Sequence, residues 1–156
     1  MSVSVLQQAK IQAQVLVPLV KALQAELGTE RANAIVRKAL RDLYRRYGEE
    51  FWRAKNEENI GKAMTSAFAT FARDDALDFE VKQQSHDAFD IDVRRCRYAE
   101  FYKALGEPEL GFLMVCSADY DMAGGFSPEI KLTRTQTIMQ GASHCDFRYR
   151  RSRAGE

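Results

Sequence analysis

The spacing of apolar residues changes once along this chain, from a period near 3.6 to a period of two, and that change limits the fold more than any other feature. In TERANAIVRKALRDLYRRY, Ala32, Ile35, Val36, Ala39, Leu40, Leu43, Tyr44 and Tyr47 recur at helical intervals and form one stripe. In LDFEVKQ, Leu77, Phe79 and Val81 alternate with Asp78, Glu80 and Lys82. In FDIDVRR, Phe89, Ile91 and Val93 alternate with Asp90, Asp92 and Arg94. Strict alternation gives a strand one buried face and one wet face. Helices first and an antiparallel sheet after make an α+β fold.

The first helix is expected over roughly 5–27, with Val15, Leu16, Leu19, Val20 and Leu23 inward. Pro18 bends it or delays its start, because proline removes a helical hydrogen bond. Gly28 closes that helix and Thr29 caps the next. Gly48 and the charged run GEEFWRAKNEEN read as the connection to a third helix, near Asn56 to Arg73. That helix buries Ile60, Met64, Phe68 and Phe71. In the second half, QSHDA joins two strands as a hairpin turn. RYAEFYKAL is a short helix ending at Gly106, and EPELGFLMVCSADYDMA is another, started by Pro108 and ended by Gly124 and Gly125. PEIKLTRTQTIM is a β-branched third strand and HCDFRYR a fourth. The expected architecture is a set of N-terminal helices packed on an antiparallel sheet of about four strands, with two inserted helices. It forms a single domain over 1–156, with a helical part (1–75) and a sheet part (76–151) that carries the site.

Composition narrows the function. Charged residues make up 29% of the chain and the formal net charge is +1, so no global field draws in nucleic acid or membrane. Arg37, Lys38, Arg41, Arg45 and Arg46 read as a solvated helix face, because Asp42, Glu49 and Glu50 interrupt the patch. No apolar run reaches membrane-spanning length, and MSVSVLQQAKIQAQ turns polar too early for a signal peptide. Three cysteines without a secretory signal point to free thiols in the cytoplasm. Their separations of 20 and 29 residues match no compact zinc pattern, and no cofactor or metal is expected.

Parity singles out the candidate site. On the third strand Ile130, Leu132, Arg134, Gln136 and Ile138 share the apolar face. A buried guanidinium is costly unless an anion pairs with it. Its partner is either an internal carboxylate such as Asp119 or the carboxylate of a ligand, for which arginine's planar fork is suited. On the fourth strand Cys145, Phe147 and Tyr149 point inward, while His144, Asp146 and Arg148 point outward. On the inserted helix Phe112, Cys116 and Asp119 fall on one face. Cys96 stands at a helix start, where the helix dipole favours a thiolate.

These features occur together in CRYAEFYKALGEPELGFLMVCSADYDMAGGFSPEIKLTRTQTIMQGASHCDFRYR. There Cys96 is followed by Tyr98 and Ala99, then by LG-PELG and by Cys116 with Asp119. Phe126, Pro128, Arg134 with Thr135 and Thr137, Gly141, and Cys145-Asp146-Phe147 complete the set. The segment resembles the signature region of the L-2-amino-thiazoline-4-carboxylic acid hydrolase family, over roughly residues 88–150. The resemblance implies hydrolysis of a C–N or C–S bond at an amidine- or amide-type carbon in a small carboxylate-bearing ring. In that reading Cys116 is the nucleophile, with Cys145 and Cys96 as alternatives, and Asp119 holds the amidinium or relays protons. Arg134 binds the substrate carboxylate, and Thr137 and Asp146 carry over as substrate-binding positions, although parity turns Asp146 outward. The implied partner is a small-molecule substrate; self-association is left open. A competing reading is a non-catalytic binding domain on the same fold, with unreactive thiols. A third is a zinc-dependent form built on the three cysteines and Asp119.

Overall fold

The computed structural model describes residues 2–152; Met1 and residues 153–156, the ends of the expected single-domain span, lie outside the described residues. The fold is α+β, as the change of period implies. Helix α1 (Val5–Leu27) starts at Ser4, whose Oγ accepts from the Gln7 amide at 3.2 Å. It continues past Pro18 to Leu27 as one helix, so Pro18 does not delay its start. Its buried residues, Leu6, Ala13 and Val20, stand two turns apart. Ile11, Val15 and Leu19 lie on the opposite side and are 58%, 68% and 52% exposed, so the expected inward set of α1 is corrected there.

Helix α2 (Thr29–Lys55) has Gly28 rather than Thr29 at its cap and makes no side-chain capping bond. It does not stop at Gly48. The run expected as a connection continues the helix to Lys55, and Asn56 ends it in the left-handed conformation. Helix α3 (Ile60–Phe71) is capped by Asn59.

Strands β1 (Leu77–Gln84), β2 (Ala88–Cys96), β3 (Ile130–Thr133) and β4 (Cys145–Arg151) form one antiparallel sheet in the order β1-β2-β4-β3. The register sets Phe89 opposite Tyr149, Ile91 opposite Phe147 and Val93 opposite Cys145 on the inner face. Asp90 and Asp92, on the outer face, are covered by ion pairs with Arg150 and Arg148. The third strand is shorter than expected. Residues 134–137 leave the ladder, and a 3-10 turn, Ile138–Gln140, leads back to β4.

Between β2 and β3 come α4 (Arg97–Ala104) and a longer helical run. That run consists of α5 (Pro108–Gly111), a π-helical turn (Phe112–Cys116) and α6 (Ala118–Phe126). Gly124 and Gly125 lie inside α6 and do not end it. The reason is packing against α2. A Cβ on Gly48 would stand 2.2 Å from the Met122 carbonyl oxygen, and one on Gly125 would stand 2.1 Å from the Arg45 carbonyl oxygen. Both glycines let the two helix backbones touch. Phe126 is held in the same contact, with its ring centroid 5.5 Å from Phe51 and 5.6 Å from Trp52. Beneath, α3 sets Phe68 against Phe89 and Phe147 on the sheet.

Neighbouring glycines test this packing. Gly125→Ala and Gly48→Ala add a methyl group against backbone and are expected to destabilise by about 1–3 kcal/mol. Gly124 has open space at its Cβ position. Gly124→Ala is therefore expected to be neutral or stabilising, by up to about 1 kcal/mol. Urea unfolding of the three variants checks this; equal effects at Gly124 and Gly125 would contradict the helix contact.

Candidate active site

Arg134 lies one residue beyond β3 and keeps the inward sense of Ile130 and Leu132, with a side chain only 2% exposed. Its Nη1 donates to Asp119 Oδ2 at 2.7 Å, and its Nη2 donates to the Cys116 carbonyl at 3.0 Å. The rings of Tyr120 and Phe147 flank the guanidinium, each centroid 5.1 Å from Cζ. The tyrosine hydroxyl donates back to the Arg134 carbonyl at 3.1 Å. Of the two partners that parity left open, the one in place is the internal carboxylate. Arg134, expected as a clamp for a substrate carboxylate, is already engaged.

The local chain geometry explains how Asp119 and Cys116 reach it. The Ser117 amide donates to Phe112, five residues back, so the helix is wider by one residue at this turn. Such bulges occur often at functional sites. Here the bulge ends at Cys116, whose carbonyl accepts from Arg134 while Asp119 stands on the next turn. Phe112, expected on the same face, packs instead beside Leu113 and Met114 in the neighbouring apolar cluster.

Cys96, Cys116, Cys145, Asp119 and Arg134 all line one cavity of about 350 Å³. The cavity lies where three apolar clusters meet, and its remaining wall is largely aromatic and aliphatic. The Asp119 side chain is still 31% exposed, but loss of bulk water in the cavity raises its pKa to about 6, although the charge and hydrogen bond of Arg134 act to lower it. The carboxyl therefore changes charge close to neutrality.

All three cysteines are free, and burial makes each a poorer acid than an ordinary thiol. For Cys96 the pKa rises to about 11, although its Sγ accepts from the Ala99 amide at 3.4 Å as the cap of α4. The expected thiolate at a helix start is thus overruled by desolvation. Burial and the charge of Asp119 raise Cys116, against a smaller opposing effect of Arg134. Burial raises Cys145 against the Ile138 amide, which donates to its Sγ at 3.2 Å. Among the described residues no three His, Cys, Asp or Glu side chains are grouped closely enough to hold a metal ion.

Two expected substrate-binding residues lie elsewhere. Asp146 accepts from the Thr135 and Gln136 amides at 2.9 and 3.0 Å and from the Thr135 hydroxyl at 2.5 Å. Thr137 is buried and caps the 3-10 turn, accepting from the Gln140 amide at 3.2 Å. Neither side chain lines the cavity. Both fix the segment that follows Arg134 and so hold the guanidinium in place. Gln136, expected on the buried face, donates to the His144 carbonyl at 3.0 Å. Tyr98 and Tyr102 form cavity wall that spacing does not single out, and Tyr44, on the apolar stripe of α2, lines the cavity as well. The only available signal was their position at the edge of apolar helical stripes.

A four-stranded antiparallel sheet and an inserted bulged helix thus enclose a thiol-lined cavity that holds the Asp119–Arg134 pair in an α+β protein. The model of the L-2-amino-thiazoline-4-carboxylic acid hydrolase family matches residues 8–149, and the chain belongs to that family. The family bears the name of a hydrolase. A comparison with curated proteins gives no match. No helix among the described residues is long and apolar enough to cross a membrane.

The state of Arg134 sets an expectation. Lysine keeps the charge but cannot reach both Asp119 and the Cys116 carbonyl. Arg134→Lys is expected to lower folding stability by about 1.5–3 kcal/mol in the absence of any ligand. Thermal or urea unfolding measures this. Unchanged stability with weakened substrate binding would make Arg134 a ligand clamp instead.

Proposed function

We propose that the protein hydrolyses a C–N or C–S bond at an amidine- or amide-type carbon of a small cyclic substrate. Cys116 serves as nucleophile and Asp119 as its base. The observation that carries this reading is Asp119, an acid with a pKa of about 6 in the same cavity as Cys116 and on the adjoining helical turn. A general acid–base group works best with its pKa near the operating pH. The raised pKa of the thiol is consistent with a nucleophile that needs a neighbouring base, since it is not ionised beforehand.

In the proposed sequence the Asp119 carboxylate takes the Cys116 proton as Sγ bonds to the electrophilic carbon. The C–N or C–S bond of the ring then breaks, and the leaving atom takes the proton from Asp119. Water next attacks the carbon held on Sγ and gives its proton to Asp119. The C–Sγ bond breaks and the thiol regains its proton. Arg134 steers Asp119 throughout, and its fixed charge offsets the negative charge that forms beside it. Cys96 and Cys145 line the same space as the alternative nucleophiles.

Ring opening of 2-amino-2-thiazolines, followed by release of the new thiol if C–S breaks or of the new amine if C–N breaks, tests the assignment. Cys116→Ser is expected to lose at least about a hundredfold in kcat with its fold intact, because serine is a far weaker nucleophile at neutral pH. Asp119→Asn is expected to lose a similar factor. In the wild type kcat/KM is expected to fall as pH drops through about 6, because protonated Asp119 cannot accept a proton. A fully active Cys116→Ser with an inactive Asp119→Asn would replace the thiol by water activated directly by Asp119.

A further inference from the structure

We infer that the substrate is an uncharged cyclic amidine or amide with an apolar ring body and no carboxylate, which sets this chain apart from the compound that names its family. The inference concerns the site assigned above and rests on that reading only for the amidine-type head. Three observations lead to it.

The first is charge. Asp119 and Arg134 are the only charged side chains among the described residues lining the cavity, and they are bonded to each other at 2.7 Å. A second guanidinium nitrogen donates to the Cys116 carbonyl, and two rings lie against its faces. A carboxylate brought in by a ligand would lose its water, meet a cation already paired with Asp119 and stand near that carboxylate. Burial of such an unpaired charge is strongly disfavoured. No lysine or histidine lines the cavity to offset it.

The second is the character of the remaining wall. The uncharged lining includes Leu16 and Leu40 from the N-terminal helices together with Phe68, Phe71 and Tyr102. These side chains offer dispersion contacts to a flat apolar ring and little to a small zwitterion. The Tyr98 hydroxyl, which could otherwise turn toward a ligand, donates to the Phe71 carbonyl at 2.9 Å.

The third is size. A cavity of about 350 Å³ holds on the order of ten waters at roughly 30 Å³ each. A single five-membered ring with two small substituents would leave much of that apolar space unfilled. A ring fused to a second ring, or bearing an aryl or alkyl group, fills it. The polar edge of such a ligand meets Asp119, and its apolar body lies against the aromatic wall.

Two compounds with the same uncharged 2-aminobenzothiazole body, differing only in a carboxylate, test this directly. 2-Aminobenzothiazole is uncharged at neutral pH and carries a fused benzene ring; 2-aminobenzothiazole-6-carboxylate adds the carboxylate. Titration calorimetry on the wild-type chain is expected to show the uncharged compound binding at least tenfold more tightly. Leu40→Gln, which makes the wall polar without touching Asp119, Arg134 or a cysteine, is expected to weaken the uncharged compound at least fivefold at unchanged melting temperature. Equal affinities, tighter binding of the carboxylate, or no binding of either compound would overturn the inference. Tight binding of the uncharged compound by a protein that opens none of the amidine or amide rings offered would support the inference and count against the proposed reaction alone.

Discussion

The ion pair between Arg134 and Asp119 organises this half of the molecule. The guanidinium of Arg134 would not be stable at its buried position alone, since a buried charge without a partner costs several kcal/mol. Together they tie the end of β3 to α6. Much of the surrounding detail serves to keep the pair in place. The π-helical turn presents the Cys116 carbonyl to the guanidinium. Tyr120 and Phe147 exclude water from its faces. Asp146, on the outer side of the sheet, fastens the segment after Arg134 through both amides of Thr135 and Gln136. Asp146, a residue carried by the family signature, thus bears on the site through the segment that follows Arg134.

The pair is unequal in its effect on the two partners. Arg134 remains cationic, whereas burial lifts Asp119 to about 6 despite its neighbour. The sign has a consequence for stability. A carboxyl whose folded-state pKa lies above its unfolded value stabilises the fold most below the unfolded value, near 4, and that contribution is lost as pH rises through about 6. The native state therefore carries a small cost at neutral pH for holding an ionised Asp119 in an apolar cavity. Functional sites often carry such a cost, because the same burial tunes the group for proton transfer.

Much of the fold was legible because binary patterning is local. The alternation in β1 and β2, the parity of Cys145 and Arg134, and the order of helices before strands all follow from one-dimensional spacing. The errors have a common cause in contacts between distant segments. Gly48 and Gly125 read as breakers because glycine is a poor helix former. In the fold they sit within helices, where only the absence of a Cβ lets α2 and α6 meet. Val15 and Leu19 read as core because they are apolar, yet α1 turns a different stripe inward. Parity and helical spacing point Cys116, Asp119, Arg134 and Cys145 toward one another, and the cavity gathers them together with Cys96. The occupation of Arg134 by Asp119 could only be posed as one of two options, since sequence parity gives direction and not partner. The aromatic wall contributed by Tyr44, Tyr98 and Tyr102 was hidden, because an apolar stripe facing a cavity looks the same as one facing a core.

The account depends on Asp119 exchanging a proton near neutrality while bonded to Arg134. Carbon-detected NMR titration of the Asp119 side-chain carboxyl, assigned by comparison with Asp119→Asn, measures this directly. The account predicts a midpoint near 6, well above that of ordinary aspartates. A midpoint below about 4 would mean that Arg134 outweighs burial, leaving Asp119 a fixed anion and removing the acid–base group on which the proposed chemistry rests.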